Sequence, residues 1–184
     1  MTVSDPPRLQ QVRAHIRAGG VLAYPTESCF GLGCAPDDAR GLRHLLRLKG
    51  RPNHKGMIVI AADVAQLLPY LVPLSRETRQ KLARYWPGPY TFLLPASRKV
   101  LPLLRGQHRT LAVRVTAHPV ARALCRAVGP LVSTSANRAG QVALRQARAC
   151  RAAFADEVMV WPGQVGARRL PSTIIDFASG RVLR

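Results

Sequence analysis

Leu111-Ala112-Val113-Arg114-Val115, then residues 118–128, then Pro130-Leu131-Val132-Ser133-Thr134-Ser135-Ala136-Asn137 decide the fold. An apolar strand, a helix opened by His118-Pro119 and a second apolar strand follow in direct succession. Elements that alternate in this way lay helices on a sheet. The rhythm continues upstream. Val21-Leu22-Ala23-Tyr24 reads as a strand stopped by Pro25, and 57–61 as an unbroken apolar strand. Between them Pro36-Asp37-Asp38 caps a helix with Leu42, Leu45 and Leu46 inward, closed by Gly50 and Pro52. Ser4-Asp5-Pro6-Pro7 starts a first helix with Leu9, Val12 and Ile16 at helical spacing, ended by Gly19-Gly20. Helical patterns cover 63–70 and 75–85, Trp86-Pro87-Gly88-Pro89 is a rigid turn, and 91–94 is a strand. Downstream, 144–154 reads as a helix and 157–161, 173–177 and 181–183 as strands, with Gly180 turning a terminal hairpin. The class is α/β, one domain, with a mixed sheet because the hairpin adds antiparallel pairing.

The 184 residues are enough for one core without metal or disulfide staples. Normal apolar content and the lack of a short repeat exclude a disordered, collagen-like or coiled-coil chain. No apolar run approaches the roughly 20 residues that span a bilayer, and residues 1–5 lack a signal-peptide pattern, so the chain reads as soluble and cytoplasmic. Cys29, Cys34, Cys125 and Cys150 form no Cys-x-x-Cys pair and read as small buried thiols, Cys29 standing out by its polar neighbours. Charge is the unusual feature: 28 Lys and Arg against 9 Asp and Glu leave +19, a field that draws polyanions.

Four segments put polar residues where a fold prefers apolar ones. Tyr24-Pro25-Thr26-Glu27-Ser28-Cys29-Phe30-Gly31-Leu32-Gly33 leaves a buried strand and enters a Gly-rich turn. Ligands of open α/β sheets sit at such strand ends, although Thr26 and Ser28 also make an ordinary capped turn. Leu48-Lys49-Gly50-Arg51-Pro52 carries cations past the end of a helix, where the macrodipole alone no longer explains Arg51. A point charge and a planar fork can meet different oxygens of one phosphate chain, yet neither a Walker loop nor Gly-x-Gly-x-x-Gly is present. Ser133-Thr134-Ser135-Ala136-Asn137 crowds the exit of an apolar strand; it reads as an elaborate cap or a ligand clasp, and without a Gly-x-Ser-x-Gly elbow a hydrolase triad with His118 is disfavoured. Pro171-Ser172-Thr173-Ile174 opens a late strand behind Arg168-Arg169.

In this order and spacing, Tyr-Pro-Thr-Glu-Ser at 24–28, Lys-Gly-Arg-Pro at 49–52, Trp-Pro-Gly-Pro at 86–89, Leu-Ala-Val-Arg-Val at 111–115, Ser-Thr-Ser-Ala-Asn at 133–137 and Pro-Ser-Thr-Ile at 171–174 resemble the YrdC/TsaC family, the threonylcarbamoyl-AMP synthases. The match spans about the whole chain and resembles the short bacterial form, a YrdC-like domain over 5–184. The resemblance implies a twisted mixed sheet with helices around a deep basic cavity. It implies that L-threonine, bicarbonate and ATP give L-threonylcarbamoyladenylate and pyrophosphate, with Mg²⁺ on the phosphates. The product would feed a tRNA threonylcarbamoyl transferase complex that makes N6-threonylcarbamoyladenosine. Residue by residue, the signature falls on Lys49 and Arg51 as catalytic and ATP-binding, and on Ser135 and Asn137 as substrate-binding. Thr26 and Ser172 match threonine-side positions; Thr91, Arg114, Ser133 and Arg184 match the nucleotide or carbamate side. Tyr90 and Arg138-Ala139-Gly140 depart from the family pattern and are expected to reshape the cavity wall.

A different class of reading is an RNA-binding module for tRNA or double-stranded RNA, which the +19 charge motivates. The YrdC-like domain also occurs within carbamoyltransferases of hydrogenase maturation, whose acylphosphatase and zinc-finger segments have no counterpart here.

Overall fold

A computed structural model describes residues 7–184 of the chain. The expected helix start at Ser4-Asp5 lies outside them. Within them the chain runs α1 (Pro7–Arg17), β1 (Leu22–Pro25), β2 (Phe30–Gly33), α2 (Ala39–Lys49), β3 (Ile58–Ala61), α3 (Arg76–Leu82), β4 (Tyr90–Pro95), α4 (Pro102–Arg105), β5 (Thr110–Val115), α5 (Pro119–Val128), β6 (Leu131–Ser135), α6 (Ala147–Phe154), β7 (Met159–Val160) and β8 (Thr173–Asp176). Three 3-10 turns intervene, at Asn53–Lys55, Ala65–Tyr70 and Ala155–Glu157. The described strands form one mixed sheet in the order β7-β1-β2-β6-β3-β5-β4-β8. β1 and β2 are an antiparallel hairpin, β6 lies antiparallel between β2 and β3, and β3 runs parallel to β5. No described helix is long and apolar enough to cross a membrane.

Strand side chains alternate between faces, and the two core clusters follow that alternation. Ala23, Leu32, Val59, Val113 and Val132 pack against α2, α3, α4 and α6 through Leu42, Leu45, Leu82, Leu104, Cys150 and Phe154. Leu22, Tyr24, Ile60 and Leu131 face the other way, against Val12 and Ile16 of α1 and Ala121, Leu124 and Cys125 of α5. Burying one such side chain contributes about 1.5–3 kcal/mol, so two apolar layers hold the sheet from both sides. On the second face the same alternation turns polar along each strand: Leu131 gives way to Ser133 and Ser135 on β6, and Tyr24 to Thr26 beyond β1. That exposed end of the face is where the site lies.

Several expectations change. Phe30-Gly31-Leu32-Gly33 is a strand, not a turn. Its glycines are needed by neighbours, since a Cβ on Gly33 would run into the Val132 carbonyl and within 3.1 Å of the Tyr24 ring. The expected helix at 63–70 is a 3-10 turn containing Pro69, which has no N–H for a helical ladder. The helix expected at 144–154 begins at Ala147, because Leu144 instead bonds Phe30 and Ala136 through its backbone. The last expected strand reduces to a single bridge between Ile175 and Val182, and α4 had no sequence signal strong enough to place it. The cap of α2 is as read: Asp38 accepts from the Arg40 N–H and Gly50 closes the helix in the left-handed region. His118 caps α5, its ring linking the Ala121 N–H to the Gln164 carbonyl at 3.0 Å, which leaves no free base for a triad.

Candidate active site

A cavity of about 580 Å³ opens over the polar end of the sheet. Gly31, Ser133, Ile58, Ala112 and Leu93 line it from five strands. Thr26, Cys29 and Ser172 line it as well; Arg51, Lys55, Arg105, Arg114 and Arg184 also reach it, and its lining holds no Asp or Glu. Five cations without a carboxylate make a receptor for a polyanion.

Lys49 sits at the last turn of α2, buried to 7% exposure. Its ammonium donates to the Ser135 carbonyl at 2.6 Å, the Asn137 Oδ1 at 2.6 Å and the Asn137 carbonyl at 2.9 Å, with Ser135 Oγ at 3.4 Å. Ser135 Oγ in turn donates to Asn137 Oδ1 at 2.7 Å. The Lys49, Ser135 and Asn137 of the sequence reading are thus one hydrogen-bonded unit at the exit of β6. Burial, then repulsion from Arg51, brings the Lys49 pKa down to about 8. Arg51 donates to the Gly56 carbonyl at 2.8 Å, while its buried Nε has no hydrogen-bond partner.

On the threonine-side positions, Thr26 Oγ1 donates to the Cys29 carbonyl at 2.7 Å, which rounds the turn after β1. Arg145 staples that turn from outside, donating to the Ser28 and Arg168 carbonyls. Ser172 is buried and accepts from Thr91 Oγ1 at 2.9 Å. Thr91 itself is fully buried and off the cavity lining, away from the nucleotide-side position that the resemblance implies. Arg184 donates to the Ser172 carbonyl at 3.4 Å, and burial followed by the nearby charges of Arg114 and Arg51 lowers its pKa. Ser133 and Arg114 both line the cavity.

Lys55, Arg105 and His108 also line the cavity; Lys55 lies three residues beyond the Leu48–Pro52 segment, whereas Arg105 and His108 come from a stretch with no motif. Glu27, which has no assigned role in the Tyr24–Ser28 motif, pairs with Arg114 at 3.4 Å. Cys29 is half-buried on the wall and burial raises its pKa; the other three thiols are buried. Tyr90 and Arg138 lie off the lining: Tyr90 meets the Tyr85 ring edge-on at 5.1 Å, and Arg138 pairs with Glu157 at 3.0 Å. Among the described residues no group of three or more His, Cys, Asp or Glu could hold a metal ion.

A mixed sheet covered by helices on both faces, with a cavity lined by basic side chains at the polar end of one of them, defines the class: an α/β protein with a cationic cavity. A family model described as Sua5_yciO_yrdC, telomere recombination, matches residues 14–184, and the chain belongs to that family. A threonylcarbamoyl-AMP synthase of Chromobacterium violaceum is 65% identical over 96% of this chain and 93% of its own length. Another, of Laribacter hongkongensis, is 66% identical over 94% of this chain and 93% of its own. The crystal structure of P. abyssi Sua5 complexed with L-threonine superposes with a TM-score of 0.86 at 29% identity, covering 96% of this chain. This chain spans 53% of that Sua5 chain.

Proposed function

We propose that the protein is a threonylcarbamoyl-AMP synthase, a nucleotidyltransferase joining L-threonine, bicarbonate and ATP into L-threonylcarbamoyladenylate with release of pyrophosphate. The observation that carries this reading is one cavity pairing five cations and no acid with the hydroxyls of Thr26 and Ser172. The synthase names of relatives up to 66% identical support it.

The chemistry asks for little acid–base work. Threonine and bicarbonate condense to a carbamate, which is already an anion. Its oxygen attacks the α-phosphorus, a new O–P bond forms, and the bond to the pyrophosphate oxygen breaks. Positioning and charge neutralisation then lower the barrier. In this reading Thr26 and Ser172 hold the amino acid, with Thr91 setting the serine. Ser135 and Asn137, clamped by Lys49, receive carbamate and phosphate oxygens. Lys49, Arg51, Arg114 and Arg184 offset charge on the phosphates, and Ser133 meets the nucleotide side. A lining without carboxylates offers Mg²⁺ no anionic protein ligand, so that ion would be held chiefly by the phosphates of the nucleotide it arrives with. The product, a reactive mixed anhydride, would pass to a tRNA threonylcarbamoyl transferase complex. Pyrophosphate release measured with each substrate omitted in turn tests the reading. Release should require threonine and bicarbonate together; release indifferent to either would overturn it.

A second reading, docking of tRNA or duplex RNA, draws on the +19 charge and on exposed Arg43, Arg47, Arg148 and Arg151 on α2 and α6, which pack into one core cluster.

A further inference from the structure

We propose that Arg145 and Arg168 are positioning residues of this site: in series they tie the turn that carries Thr26 to the segment that carries Ser172, and so set the two hydroxyls for one amino-acid substrate. The proposal rests on the synthase reading above and deepens it.

Arg145 lies in the loop after β6, exposed and off the cavity lining. It donates to three backbone carbonyls on two segments: Ser28 on the turn after β1, then Gly166 at 3.4 Å and Arg168 at 3.3 Å on the stretch before β8. Its own place is set by backbone. Leu144 beside it accepts from the Phe30 N–H at 2.8 Å and donates to the Ala136 carbonyl at 2.9 Å. The two segments it joins also touch directly. The Gly166 N–H donates to the Thr26 carbonyl at 2.9 Å, and the Arg168 N–H to the Glu27 carbonyl at 3.2 Å. A Cβ on Gly166 would come within 2.6 Å of the Glu27 carbonyl oxygen. Beyond Ser28 the turn closes on the Cys29 carbonyl, which accepts from the Thr26 N–H at 3.0 Å and from Thr26 Oγ1 at 2.7 Å. Holding the Ser28 carbonyl therefore restrains the residue on which the Thr26 hydroxyl rests.

Arg168 passes the constraint on. Its Nε donates to the Leu170 carbonyl at 3.1 Å and the Pro171 carbonyl at 3.3 Å, and its Nη2 to Thr173 Oγ1 at 3.3 Å. Ser172 lies between those points. Residues 161–172 contain no described helix or strand, so no ladder fixes this approach to Ser172. An irregular stretch keeps its place only through bonds such as these. A planar fork with five donors can reach several carbonyls at once, which a single ammonium does less well. Neither guanidinium pairs with a carboxylate among the described residues, and neither lines the cavity. Their action on a substrate therefore runs through Thr26 and Ser172, which do line it. Two hydroxyls on separate loops grip a small molecule well only when their spacing is fixed beforehand.

The test is steady-state kinetics on the intact protein, with separate KM values for threonine and ATP, calorimetric threonine affinity and melting temperature. Arg145→Met and Arg168→Met should each raise the KM for threonine about tenfold and weaken calorimetric affinity to match, with the KM for ATP and kcat unchanged within about twofold. Because the two act in series, the double variant should resemble the worse single one. Lysine at either position keeps the charge and loses the fork, so it should recover only part of the loss. Gly166→Ala pushes the same two segments apart without altering a charge, and it too should raise the KM for threonine alone. If the arginine variants do not fold, Gly166→Ala and the lysine variants decide by the same readouts. Variants that melt earlier yet keep the wild-type KM for threonine would overturn the proposal. So would effects that multiply in the double variant. An equal rise in the KM for ATP, or full recovery by lysine, would also overturn it, since either marks a role for charge. Failure of the synthase reading looks different: the unaltered protein would release no pyrophosphate in response to threonine and bicarbonate.

Discussion

Oxygen atoms surround the Lys49 ammonium on several sides, and burial with repulsion from Arg51 brings its pKa to about 8. The free side chain in an unfolded chain titrates near 10.5. Between those values the unfolded state binds the extra proton, so this residue's contribution makes folding stability rise with pH from about 8 to 10.5. Activity should move the opposite way, because the proposed chemistry uses the ammonium. A pH profile of kcat/KM is expected to fall above about pH 8 as one proton is lost. Lys49→Met should lower turnover at least about a hundredfold, since it removes both a cation and the clamp on Ser135 and Asn137. Glu27 has the other sign. Burial pushes its carboxyl up, but Arg114, Thr116 and Ala117 outweigh it and hold it below the ordinary 4.5. Its stabilising contribution is complete above about 4.5 and is lost as pH falls through the lowered folded value. Melting temperatures recorded on acidification should therefore drop more steeply for the wild type than for Glu27→Gln.

The hairpin of β1 and β2 is where one added methyl group has the largest structural effect. Gly33→Ala forces a Cβ against the Val132 carbonyl, the same oxygen that accepts from the Tyr24 hydroxyl at 2.8 Å. A loss of about 1–3 kcal/mol is expected, read as a lower urea midpoint at unchanged slope. Asp38→Ala, which removes the cap of α2, should cost about 1 kcal/mol by the same measurement. These two positions also mark what could be read in advance. A cap is a local device, and Asp38 announces it in sequence beside Gly50 at the far end. Unbroken apolar runs made β3, β5 and β6 equally legible. Phe30–Gly33 was not, because its glycines answer to Tyr24 and Val132, neighbours that only the folded sheet supplies. The site divides in the same way. Thr26, Arg51, Ser135 and Ser172 lie in motifs at strand and helix ends, and the fold brings them to one cavity. Arg105 and His108 arrive on and after α4, an element without a sequence signal, and Glu27 acquires meaning only when β5 places Arg114 beside it.

At the scale of the whole molecule, the +19 charge acts on every anion that approaches. Raising salt from about 50 to 300 mM should raise the KM for ATP severalfold and leave that for zwitterionic threonine nearly constant. Duplex RNA, if it docks, should lose affinity with a steep negative slope against the logarithm of salt. Lys49→Met should leave that slope unchanged, because the residue is 7% exposed and its ammonium is taken up by Ser135 and Asn137. The order of the sheet carries a further consequence for biosynthesis. β6 must insert between β2 and β3, although both are made long before it. As the polypeptide leaves the ribosome, the early hairpin and β3 therefore present bare edges until Leu131 and its successors emerge. Nascent chains stalled before that point should cling to chaperones, and those stalled well beyond it should be released.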